Sequence, residues 1–68
     1  MDGASRKYIS LYVDAAGSVV EARVLDAKTE NEARHLAVHG GTTNAHAKGY
    51  ELWRDGRMTT ARRGFDDT

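Results

Sequence analysis

Tyr50-Glu51-Leu52-Trp53-Arg54-Asp55-Gly56-Arg57-Met58-Thr59-Thr60-Ala61-Arg62 is the stretch that decides the fold. Two strand-like runs flank Asp55-Gly56, a favoured pair for a two-residue hairpin turn in which both central residues take positive φ. The spacing predicts Arg54 opposite Arg57, Trp53 opposite Met58, Leu52 opposite Thr59 and Tyr50 opposite Ala61. Tyr50, Leu52, Thr59 and Ala61 would then share one face, and Trp53 and Met58 the other. Apolar weight falls on both faces.

A second hairpin is legible upstream. From Lys7 to Val13, the residues Ile9, Leu11 and Val13 alternate with Tyr8, Ser10 and Tyr12, the period of a strand. Asp14-Ala15-Ala16-Gly17 suits a turn with Asp at its start and Gly at its end, and a strand from Ser18 to Leu25 follows. Pairing Val13 with Ser18 puts Ile9, Leu11 and Val13 beside Val20, Ala22 and Val24. A bulge at Gly17 would instead set Tyr8 and Tyr12 beside Val20 and Val24. The first register is preferred because it makes one face wholly apolar.

Between the hairpins, Thr29-Glu30-Asn31-Glu32 has the form of a capping box: the Thr29 hydroxyl takes the Glu32 amide and the Glu32 carboxylate reaches back. Ala33, Leu36, Ala37 and Gly40 form a narrow face of mostly small residues, and Gly40-Gly41 is expected to end a three-turn helix as a C′ glycine does. Thr42 to Lys48 shows neither helical nor strand period and is expected to be an exposed loop. The resulting class is α+β: ββαββ, two hairpins joined by one helix packed on one face of an antiparallel sheet.

The chain of 68 residues forms one domain, residues 1–68, with an ordered core expected over about 6–63. The tail 64–68 is expected to fray, apart from docking by Phe65. A domain this small buries only about 60% of the surface its unfolded chain exposes. It contains no cysteine and no proline, so disulfides, thiol catalysis and Cys-type zinc sites are excluded. Its formal net charge is zero, against a dedicated polyanion binder. Residues 1–7 lack the apolar segment of a secretion signal and no later run could span a bilayer, so a cytoplasmic location is expected.

Chemistry-bearing residues are few. His35 and His39 lie one helical turn apart with Glu32 on the same side, a spacing that can bring metal ligands together. That side points away from Ala33, however, and no carboxylate follows His35 as in an HExxH site, so solvated surface histidines are the better reading. His46 falls in the loop. Ser5, Ser10 and Ser18 lack a nucleophile context. Gly40-Gly41-Thr42-Thr43 follows a helix rather than opening one, and the helix dipole there repels phosphate. No cofactor and no enzymatic activity is expected.

From Lys48 to Arg63 there are five basic residues and two acidic ones, a local net charge of +3. Tyr50 beside Arg54, Arg57, Arg62 and Arg63 could bind a single-stranded nucleic acid by stacking and phosphate contact. The favoured expectation is different. One small-faced helix covers one side of four strands, leaving Tyr8, Tyr12, Trp53 and Met58 on the uncovered side. Such a patch marks an association surface, and a homodimer is expected, with a further protein partner as an option.

The pattern Tyr8…Leu11-Tyr12…Asp14…Gly17, an Ala-rich helix, then Gly49-Tyr50-Glu51-Leu52-Trp53 and Arg57 resembles a group of short bacterial proteins of no known activity. The resemblance covers about residues 6–63 and implies the same layout without adding chemistry. This chain departs from the group in its longer connection from Gly40 to Lys48 and in Ser10.

Overall fold

The computed structural model describes residues 6–64. In chain order they form β1 (Arg6–Val13), β2 (Val19–Ala27), α1 (Glu30–Gly41), β3 (Gly49–Arg54) and β4 (Arg57–Arg62). The four strands make one antiparallel sheet in the order β2-β1-β3-β4, with the helix on one face. The ββαββ class read from the sequence is the observed one. The expected docking of Phe65 and fraying of the tail lie outside the described residues, Gly64 excepted.

The β3–β4 turn forms as its dipeptide dictates, with Asp55 at φ 55° and Gly56 at φ 77°. Arg54 pairs with Arg57 and Trp53 with Met58, as expected. Beyond them the pairing differs: Leu52 meets Thr60 and Tyr50 meets Arg62. Thr59 is the extra residue of a bulge, and its hydroxyl donates back to the Leu52 carbonyl at 3.2 Å. Ala61 therefore sits opposite Glu51 rather than Tyr50.

The β1–β2 hairpin departs twice from simple pairing. Asp14 Oδ1 accepts from the amides of Ala16 and Ser18, and Gly17 closes the turn at φ 89°. Val13 pairs with Val19 rather than Ser18, and Tyr12 pairs with Glu21, so Val20 is a second inserted residue. Each insertion shifts the register by one. Together they restore the parity of the preferred register, so Ile9 and Leu11 pair with Val24 and Ala22 on a shared aliphatic face.

That aliphatic face is not the one the helix covers. Ala33, Ala37, Gly40 and Gly41 are the buried helix residues, and they contribute little bulk, while Leu36 remains 39% exposed. The sheet must supply the volume beneath them. It does so with Tyr8, Tyr12, Tyr50 and Leu52, each at most 2% exposed. Ser10 lies among these residues, fully buried, and its Oγ has no hydrogen-bond partner among the described residues.

The helix begins as predicted, with the Glu32 amide donating to Thr29 Oγ1 at 3.1 Å. The Glu32 carboxylate reaches one residue further than a standard box, accepting from the Lys28 amide at 2.9 Å. The helix end differs from expectation. Gly40 and Gly41 lie inside the helix, and Thr42, with φ −70°, is the C-cap. A left-handed glycine is unnecessary because two threonines satisfy the last turn. Thr42 Oγ1 donates to the His39 carbonyl at 2.8 Å and Thr43 Oγ1 to the Gly40 carbonyl at 2.7 Å.

The connection after the helix is more anchored than its composition suggested. Ala47 is buried, and the Lys48 amide donates to the Val13 carbonyl at 2.7 Å. Asn44 Nδ2 donates to Glu21 Oε1 at 2.7 Å, and Arg23 Nε donates to the other Glu21 oxygen. These bonds tie the loop to β2. At the other end of the helix, Thr60 Oγ1 donates to Glu30 Oε2 at 2.6 Å. The helix thus crosses the sheet from the β4 side at its start to the β2 side at its end.

Candidate interaction surface

The sheet face opposite the helix is the site that the fold constructs. Across it runs one cross-strand row, Val24–Ile9–Trp53–Met58, contributed by β2, β1, β3 and β4 in turn. Val24 is 67% exposed, Ile9 45% and Met58 51%, and Trp53 is half-buried. The next row, Ala22–Leu11–Glu51–Ala61, is apolar except for Glu51. The two rows make a contiguous, largely apolar surface with no covering element among the described residues.

Trp53 is held rather than loose. Its Nε1–H donates to Glu51 Oε1 at 3.1 Å, a bond between neighbours on the same face of β3. The bond restrains the indole, and the residue is half-buried on the open face. Beside it lies an open depression of about 540 Å³, with Lys7, Ile9, Leu11 and Trp53 among its lining and Asp55 at the turn end. Lys7 pairs with Asp26 at 2.9 Å, both well exposed, so the charge at this border is compensated.

The residues expected at the interface divide between the two faces. Trp53 and Met58 lie on the open face. Tyr8 and Tyr12 do not: they are 1% and 0% exposed beneath the helix. The Tyr12 hydroxyl donates to the Ala37 carbonyl at 2.8 Å. The open-face positions of β1 belong instead to Ile9 and Leu11. The signal for this was present in the small helix face, which needs large neighbours, and a tyrosine brings both volume and a donor for a helix carbonyl.

The residues of the nucleic-acid alternative do not form a stacking platform. Tyr50 is 2% exposed, packed under the helix. Arg54 and Arg62 share the parity of Leu52 and Tyr50, so they lie on the helix side of the sheet, away from Trp53. The Arg54 guanidinium sits 5.9 Å from the Tyr8 ring centroid and 3.5 Å from Asp55. Arg57 and Arg63 are exposed. Lys48, Arg62 and Arg63 border an open groove of about 710 Å³, but Asp14 and Glu51 border it as well.

His35 and His39 are exposed on the helix, as is Glu32, and among the described residues no three His, Cys, Asp or Glu side chains converge. Glu21 is a perturbed carboxylate among the described residues. The Asn44 amide and then the Arg23 guanidinium hydrogen-bond to it and lower its pKa below the ordinary glutamate value. Its partners are a loop and a neighbouring side chain, so the perturbation belongs to the anchoring of residues 42–48. No helix among the described residues is long and apolar enough to cross a membrane. Compared with family models, curated proteins and solved structures, the chain matches none.

Proposed function

We propose that the chain is a small non-catalytic interaction module that self-associates through its open sheet face. The observation that carries this reading is the Val24–Ile9–Trp53–Met58 row, an apolar band spanning all four strands in which Trp53 is half-buried and the other three are exposed. Single exposed apolar side chains are ordinary, whereas a contiguous band is the usual mark of an association surface. Trp53 lies near its centre, where binding energy concentrates.

Size sets the expected strength. Four strands about 4.8 Å apart and six residues of about 3.3 Å each give a face of roughly 400 Å² in projection. Two such faces amount to about 800 Å² in projection, and side-chain relief adds to it, which puts the interface at the small end of the specific ones. Area alone does not set affinity, and weak association, in the micromolar range, is the expectation for a face this small. It would also add apolar burial to a domain too short to bury much alone.

Trp53 is the chain's one tryptophan, so its emission reports on this face directly. Dilution from about 100 μM to well below 1 μM should shift the emission to the red as the indole meets water, over the range where a dimer of this size dissociates. Trp53→Ala should weaken association by about 2 kcal/mol, the loss typical of a central aromatic anchor. Emission unchanged over that range, with Trp53→Ala sedimenting as the parent does, would contradict the reading.

A further inference from the structure

Resting on the self-association proposed above, we infer that the two copies pack face to face about a two-fold axis that runs along the strands, between β1 and β3. Such an axis reverses the order of the exposed row. Trp53 of one copy then lies over Ile9 of the second, and Met58 lies over Val24. An axis running across the strands, along the row itself, would set each residue against its own counterpart.

Volume favours the first arrangement. Two facing sheets lie about 10 Å apart throughout, so the side chains meeting at each position must fill a similar gap. In the central row, Trp over Ile and Met over Val set a large side chain against a smaller one at each position. Self-facing rows would place two indoles together at one position and two valines at another, overfilling the first and leaving the second short.

Charge favours it too. Lys7 precedes Ile9 by two residues on β1, Asp55 follows Trp53 by two beyond β3, and both border the same depression. The axis along the strands brings the Lys7–Asp26 pair of one copy over the Arg54–Asp55 pair of the other, so that Lys7 lies over Asp55 and each charge gains a second opposite neighbour. Glu51 then faces Leu11, with one carboxylate oxygen already taken by Trp53 Nε1–H. The crosswise axis exchanges the rows on either side and faces Asp55 with Glu51. Opposed acids of this kind disfavour an arrangement.

Because the chain contains no cysteine, single introduced thiols report on the geometry without background. The test uses Val24→Cys and Met58→Cys, both at well-exposed positions, with one variant carrying a mass tag. The two are mixed above the dimer dissociation constant and treated with a bifunctional thiol reagent spanning about 10 Å, the sheet-to-sheet spacing. With the axis along the strands, Val24 lies about 10 Å from Met58 of the second copy and about 17 Å from its own counterpart.

The mixed crosslink should therefore dominate over either self-crosslink, because only the mixed pair lies within the span of the reagent. Dominant self-crosslinks in variants that still sediment as dimers would overturn the axis and leave the self-association standing. A dimer that gives neither crosslink would remove the open face as the interface, and with it both proposals. A monomer in the parent chain would do the same.

Discussion

The Tyr12 hydroxyl donates to the Ala37 carbonyl oxygen at 2.8 Å, joining the first strand to the second half of the helix across 25 residues of sequence. Gly40, one turn later, makes room for the same ring. A Cβ at Gly40 would lie 2.8 Å from Tyr12 Oη and 2.9 Å from Arg23 Nη1. Arg23 is flexible and can move aside. The buried, hydrogen-bonded tyrosine is much less free to do so.

These contacts predict a non-additive mutant pair. Tyr12→Phe should cost about 1 kcal/mol for the lost hydrogen bond. Gly40→Ala should cost about 1–3 kcal/mol through overpacking, partly offset by the better helix propensity of alanine. In the Tyr12→Phe background the clashing oxygen is gone, so Gly40→Ala should be milder by about 1 kcal/mol or more. Urea unfolding of the four proteins measures this. Additivity within about 0.3 kcal/mol would show that Gly40 is not constrained by Tyr12.

The helix start gives a second prediction. Thr29→Ala removes the acceptor of the Glu32 amide, a bond of 3.1 Å. The expected cost is about 1 kcal/mol, and for a domain of this size the melting temperature should fall by roughly 4–8 °C. Thermal unfolding followed by circular dichroism tests it, and an unchanged midpoint would remove Thr29 as the cap.

Acid should loosen the loop at Glu21. Its folded pKa is lowered, first by the Asn44 hydrogen bond and then by Arg23. A carboxylate with a depressed folded pKa contributes stability above its unfolded pKa and loses that contribution as pH falls through the folded value. Stability should therefore drop as pH is lowered from the ordinary glutamate range toward the depressed value. Asn44→Ala should flatten that part of the profile while leaving stability at neutral pH lower. Identical acid profiles for parent and variant would show that Asn44 does not hold the carboxylate.

Local chemistry explains which features could be read in advance. Asp55-Gly56 fixes its turn because the backbone there needs two positive φ angles, and Thr29 with Glu32 fixes the helix start because each satisfies a nearby amide. The bulges at Val20 and Thr59 left no such mark. Each bulge breaks the alternation at a single residue, and the small or β-branched residues around it suit either face, so register beyond each turn was illegible. The face assignment failed for Tyr8 and Tyr12 for another reason. Greasier residues lie in the other phase of β1, yet the helix face is built of alanine and glycine and selects for bulk. Ile9 and Leu11 were left outside in consequence. Trp53 and Met58 kept their place because their pairing depends only on the turn beside them.

The central claim is that the open face joins two copies, and sedimentation equilibrium tests it most directly. Run from about 1 to 100 μM, the parent chain should pass from monomer to dimer, as an interface near the lower size limit requires. Trp53→Ala should remain largely monomeric over the same range, because a loss of about 2 kcal/mol weakens association roughly thirtyfold. A parent chain of monomer mass at about 100 μM would contradict the account.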